Sequence, residues 1–314
     1  MTKLQSRLGG LLVLQLVLAA GLFWNSQQQQ QHDLQQPLLG FEKSQVDRIE
    51  ISDGDAAVTL RKAGDQWQLP DLHQLPIDDN KLDDILTKLA ALNSGWPVAT
   101  TASGRERFEV AEDNFQRHLR LYQGEAAVAS LYVGTSPGFR KVHVRRGQED
   151  AIFAVELNSY ELPAAGSDWL DKTLLGAGAV TSIKGPDYAL NKTDSGWTFV
   201  ETAPLAAGDA PKLNIEKAEQ LAAAMADLKV QAVVEAEPAG DAIALEVTGN
   251  NGNWTYRFIQ ADDNYYVGRS DKDMLFSISK IDYENITTVG MPQLALETQS
   301  TEGEADADDT ASSS

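Results

Sequence analysis

Cysteine is absent from the chain. That absence removes disulfides, thiolate nucleophiles, zinc–thiolate sites and an N-terminal lipid-modified cysteine at one stroke. Histidine is scarce: His32, His73, His118 and His143 are the full set. No two of them stand at the spacing by which a helix offers two imidazoles to one metal. No glycine-rich phosphate loop occurs, and no Asp-x-Asp-x-Asp-Gly calcium loop. Cations are also short, with 26 Lys and Arg against 46 Asp and Glu, for a formal net charge of −20. Nucleic acid is bound through clustered cations that neutralise phosphates, so this balance argues against a nucleic-acid partner. It also makes the body as a whole a poor binder of anionic lipid. No metal and no cofactor is expected.

One long apolar run is present. From Leu8 to Trp24 the residues are apolar or small, broken only by Gln15. A helix of that length spans roughly 26 Å, close to the hydrocarbon thickness of a bilayer. Lys3 and Arg7 precede it without an acid, and cations beside a span stay on the cytoplasmic side. Trp24 closes the run where an indole favours the headgroup level. The expectation is a single-pass signal-anchor in a bacterial inner membrane, with the body in the periplasm. A cleaved signal peptide ending near Ala19-Ala20-Gly21 is the rival reading, although Leu22-Phe23-Trp24 extend the apolar stretch beyond it. A core helix fits poorly, because the almost entirely polar stretch from Asn25 to Gln36 follows. The sequence therefore divides into a cytoplasmic stub (1–7), a transmembrane anchor (8–24) and a Gln-rich spacer (25–40). Residues 41–175 and 176–295 form two modules, and 296–314 form a tail. From Glu297 onward the tail has six acids and no cation, a composition that does not fold on its own.

The two modules repeat one pattern. Val46-Asp47-Arg48-Ile49 corresponds to Val180-Thr181-Ser182-Ile183, and Leu60, Lys62 and Trp67 to Leu190, Lys192 and Trp197. A capped amphipathic stretch follows each: Asp78, Leu82, Ile85, Leu86, Leu89 and Leu92 match Asn214, Ala218, Leu221, Ala222, Met225 and Leu228. Later, Val144, Arg146, Asp150, Phe153 and Tyr160 match Val267, Arg269, Asp273, Phe276 and Tyr283. Apolar residues at helical spacing behind an Asp or Asn predict a helix with its N-cap. Alternating runs such as Ile49-Glu50-Ile51 and Val142-His143-Val144 predict strands between turns. The expected fold class is α+β: an N-terminal transmembrane helix, then two tandem modules with mostly antiparallel sheet. Trp67 and Trp197 are expected to pack in the cores.

Few residues look equipped for chemistry. Gly134-Thr135-Ser136-Pro137-Gly138 fits the G-x-S-x-G pattern of a hydrolase elbow. The elbow uses the backbone N–H after the serine, which Pro137 lacks, and it leads into a helix, whereas Phe139 to Arg146 alternates like a strand. A turn is the better reading. Between Arg105 and Arg146 the chain carries eight Lys or Arg. Lys141, His143 and Arg145 share one strand face. They read either as a solvated outer face or as a contact stripe for an acidic partner or headgroups.

Taken together, these motifs resemble the family known as domain of unknown function 4340. The likeness is carried by the anchor, the paired Val-x-x-Ile strand starts, the Lys62/Trp67 and Lys192/Trp197 hairpins with their capped helices, and Gly134–Gly138. It covers roughly residues 40 to 290. Members often accompany ABC transporter components of the gliding-motility type, so the resemblance implies an envelope accessory role beside a membrane-protein partner. It carries over no catalytic residues. The expected function is thus a non-catalytic interaction subunit. A binder of a small envelope ligand in a cleft between the modules, with a deep pocket lined by aromatics such as Trp254, Tyr265 and Tyr266, is the alternative. An envelope hydrolase is the less favoured third.

Overall fold

The computed structural model describes residues 36–200 and 211–296. The expected anchor, residues 25–35 of the spacer and the acidic tail from Glu297 lie outside the described residues. Among the described residues, no helix is long and apolar enough to cross a membrane.

The chain divides into two compact units between Asp171 and Lys172. The first contains strands β1 (Arg48–Ser52), β2 (Ala57–Ala63), β3 (Gln66–Leu69), β4 (Leu75–Pro76), β5 (Arg117–Gln123), β6 (Ala126–Val133), β7 (Val142–Arg146) and β8 (Ile152–Val155). Helices α1 (Asp79–Ala91) and α2 (Ala102–Arg107) lie between β4 and β5. The strands form one eight-stranded sheet in the order β4-β3-β2-β1-β5-β6-β7-β8, antiparallel at every ladder. Alternation buries Ile49, Ile51, Val58, Leu60, Leu119, Leu121, Leu131, Val133 and Val144. Helix α1 begins where Asp78 Oδ1 accepts the Lys81 N–H at 3.0 Å, leaving Leu82, Ile85, Leu86 and Leu89 buried along one stripe.

The second unit contains β9 (Val180–Lys184), β10 (Ala189–Thr193), β11 (Gly196–Phe199), β12 (Val230–Val234), β13 (Ala242–Gly249), β14 (Gly252–Ala261), β15 (Asn264–Arg269) and β16 (Leu275–Ile278). Its helices are α3 (Ile215–Ala226), α4 (Lys280–Thr287) and α5 (Met291–Leu294). Its sheet runs β11-β10-β9-β13-β14-β15-β16-β12. Asn214 caps α3 just as Asp78 caps α1, its Oδ1 accepting the Lys217 N–H at 3.2 Å.

The repeat read in the sequence reappears as matched pairings. Ile49 faces Leu60 and Ile183 faces Leu190. Lys62 faces Trp67 and Lys192 faces Trp197. Val144 faces Phe153 and Val267 faces Phe276. Both units are α+β with antiparallel sheet. They differ at the edges, since β4 occurs in the first unit alone and β12 flanks β16 in the second. The first unit has only an isolated bridge, Ala99 to Ile152, beside β8.

Three expectations shift. The folded body begins before residue 41: Leu38 and Leu39 are buried, and the Leu38 N–H donates to Leu92 O at 2.7 Å. The division between units falls at 171 rather than 175. Finally, β7 starts at Val142, because Phe139 and Arg140 take left-handed φ values of 40° and 58° and form a turn.

Candidate functional site

The face of the first sheet away from α1 carries the chemistry. Cross-strand register places His118 beside Tyr132, Tyr132 beside Arg145 and Arg145 beside Ile152, one row across four strands. His118 stacks on Tyr132 with ring centroids 4.1 Å apart, and Arg145 Cζ sits 4.6 Å from the Tyr132 centroid. The chain from Ala99 to Gln116, including α2, lies over this row. Val110 packs with Tyr132 and Ile152, against which Ala99, Phe108 and Phe115 also rest.

Of the stripe Lys141, His143 and Arg145, only Lys141 is exposed. His143 is 7% exposed, its ring centroid 4.2 Å from Phe108 and its Nδ1 3.0 Å from Thr135 Oγ1. Arg145 is 1% exposed. Its Nε donates to Val110 O at 2.7 Å, and its Nη1 donates to Gly147 O at 3.0 Å and Glu149 O at 3.2 Å. The three residues therefore do not form an open stripe. Alternation identified their shared face, but the covering segment turns that face into interior. The signal for it was present in the apolar Phe108, Val110, Ala111 and Phe115 just ahead of β5.

The remaining cations of this stretch are mostly paired. Arg120 meets Glu50 at 2.8 Å, Arg146 meets Glu149 at 2.5 Å and Arg105 meets Asp150 at 3.4 Å. Tyr122 OH also donates to Glu50, at 3.0 Å, and Arg48 lies 3.9 Å from the Tyr122 centroid. Arg140 and Lys141 are exposed at the β6–β7 turn.

Sequence reading passed over one contact with catalytic appearance: His118 Nε2 lies 3.0 Å from Ser130 Oγ. A serine beside a histidine is the start of a nucleophile–base pair. Here burial, helped by Arg120 and Arg145, holds the His118 pKa down at about 4. A base that weak gains little proton affinity at neutral pH, and around it Arg120 and Arg145 outweigh the opposing pull of the Glu50 carboxylate. The contact fits a neutral, structural imidazole. The Gly134–Gly138 segment is a turn, in which Ser136 Oγ donates to Lys141 O at 2.7 Å. Among the described residues, no cluster of three or more His, Asp or Glu could hold a metal.

A groove of about 490 Å3 lies between α1 and the β2–β3 hairpin, with half-buried Trp67 against Val46, Leu82 and Leu86. Lys43 is paired there with Asp83 at 2.5 Å. Of the aromatics expected to line a ligand pocket, alternation along β15 sends Tyr265 and Tyr266 to opposite faces. Tyr265 rests 4.9 Å from Tyr283, and Trp254 lies under Arg269 at 4.6 Å. Trp197 is buried as expected, whereas Trp67 is only half-buried.

Fold and surface define a duplicated α+β protein built on two eight-stranded antiparallel sheets. The chain belongs to the family described as Domain of unknown function (DUF4340), whose model matches residues 67–246. That match runs from the β3 tryptophan into β13 and so takes in parts of both units. No curated protein and no solved structure matches the chain.

Proposed function

We propose that this chain is a membrane-anchored envelope protein whose two-unit body is a non-catalytic accessory subunit of a membrane complex, such as an ABC transporter. The observation that carries this reading is Trp96, 62% exposed beside Pro97 and the 47% exposed Val98. Both flanks are fixed: the Ser94 N–H donates to Gln36 O at 3.1 Å and the Val98 N–H to Ile152 O at 2.7 Å. A large aromatic held out on a fixed backbone is the type of residue that dominates protein–protein binding energy. The anchor expected from Leu8 to Trp24 supports the location, and the family resemblance supports the class of partner.

The test is recovery of partners from solubilised native membranes. Trp96→Ala lowers recovery of the bound membrane protein about thirtyfold or more, the effect of losing about 2 kcal/mol at a hot spot, while the thermal midpoint stays unchanged. Equal recovery by wild type and variant contradicts the reading.

A second reading is favoured by the groove at Trp67: a binding module for a small envelope ligand. Its signature is Trp67 fluorescence that changes on adding an envelope extract of low molecular weight and is lost in Trp67→Phe.

A further inference from the structure

The β6–β7 hairpin ends in an unusual way. Pairing continues beyond the strands, with the Gly134 N–H donating to His143 O at 2.9 Å and the His143 N–H to Thr135 O at 2.8 Å. Gly138 then bridges to Lys141, so Phe139 and Arg140 are the two central residues of the turn. Both have positive φ, a conformation that such turns normally give to Asn and Gly because a Cβ is strained there. The side chain held in this position is the most exposed large apolar one among the described residues, Phe139 at 94%. Arg140 and Lys141 follow it, both exposed. Ser136 braces the turn, its Oγ donating to Lys141 O at 2.7 Å and accepting the Gly138 N–H at 3.2 Å.

The duplicated unit supplies an internal comparison. In the corresponding β14–β15 hairpin, Ala261 faces Asn264, and the turn residues are Asp262 and Asp263, the first at a φ of 53°. The hairpin therefore closes without an aromatic or a cation. Nothing in the shared architecture requires Phe139-Arg140-Lys141.

We propose that this tip is a membrane-contact finger: Phe139 enters the interfacial layer of an anionic bilayer while Arg140 and Lys141 engage lipid phosphates. An aromatic ring favours the headgroup boundary, and cations beside it are drawn to anionic lipid. The body's acidic excess does not oppose this, because charges beyond about 8–10 Å of the tip are screened at physiological salt.

The absence of cysteine makes the test clean. In the full-length chain, Phe139→Cys creates a single thiol for a polarity-sensitive nitrobenzoxadiazole label, and Tyr160→Cys, at an 83% exposed position of the same unit, serves as control. Each is reconstituted with phosphatidylcholine vesicles, with or without phosphatidylglycerol. The label at 139 shifts its emission to the blue and is quenched by nitroxide-bearing lipid only when phosphatidylglycerol is present, whereas the label at 160 does neither. Adding Arg140→Asp and Lys141→Asp removes about fivefold in partition per cation, or about 25-fold together. Asp262 holds a φ of 53°, so aspartate accepts the left-handed conformation that Arg140 takes. The proposal is overturned if the label at 139 stays in water on anionic vesicles, if the label at 160 responds equally, or if 139 responds only when a membrane-protein extract is added. The last outcome would assign the tip to a protein. Because the label reads the tip itself, the result does not depend on whether the N-terminal run anchors the chain.

Discussion

Arg145 braces the first unit. Its guanidinium joins β7 to three carbonyls, those of Val110, Gly147 and Glu149, and lies against the Tyr132 ring. Removing it takes the guanidinium donor from the buried Val110 carbonyl and opens a cavity under the covering segment. Arg145→Ala is expected to cost about 2–3 kcal/mol in urea unfolding, the scale of losing hydrogen bonds to a charged group together with the packing of its stem. Arg145→Lys recovers little of this, since a point charge does not reproduce the fork. Lys141→Ala on the exposed neighbour shifts stability by less than about 0.5 kcal/mol. His118 makes a prediction of a different kind. Its folded pKa of about 4 lies below the ordinary 6.5, chiefly through burial and secondarily through Arg120 and Arg145. The unfolded chain therefore binds the extra proton first as pH falls. Stability linked to His118 is complete above about pH 6.5 and declines as pH drops toward 4. Thermal midpoints measured between those values should fall less steeply in His118→Phe than in wild type; parallel curves would contradict the burial account.

At the scale of elements, what could be read depended on period and caps. The stripe of α1, the Asp78 and Asn214 caps and the paired Lys–Trp hairpins were legible because local chemistry and tertiary packing agree there. Asp78→Ala and Asn214→Ala should each cost about 1 kcal/mol, seen as matched shifts in urea midpoint for the two units. Short elements were not legible. Helix α2 has six residues, too few for a periodic stripe, and is held by its Thr101 cap and by docking onto the sheet. Two-residue β4 is too short to show a period and exists by folding back onto β3, while edge strand β12 exists by pairing with β16, far along the chain. The Lys141/His143/Arg145 stripe was misjudged for a related reason: alternation tells which side chains share a face, not whether another segment covers it. Gly134 marks that cover. A Cβ there would stand 2.0 Å from Phe108 O and 2.4 Å from Glu109 O, so Gly134→Ala must push the covering segment off the sheet. About 1–3 kcal/mol of destabilisation is expected, with faster hydrogen exchange across residues 99–116.

For the molecule as a whole, the sequence announced a duplication, and matched cross-strand pairs carry it into three dimensions. Each unit holds a complete sheet and its own helix, with the division between Asp171 and Lys172. The candidate contact points were less legible than the fold, because exposure is a property of the finished structure. Trp96 and Phe139 look like any core aromatic in sequence, and Arg145 looks like any surface cation. The chain's central role is proposed to be presentation: a tethered body offering Trp96 to a membrane-protein partner. The most direct measurement places a photo-crosslinking amino acid at Trp96 in living cells, with Asp194, on an exposed turn of the second unit, as control. A discrete adduct with a membrane protein from position 96 and none from 194 is the predicted result. Illumination that yields no adduct from 96, or the same adducts from both positions, would contradict it.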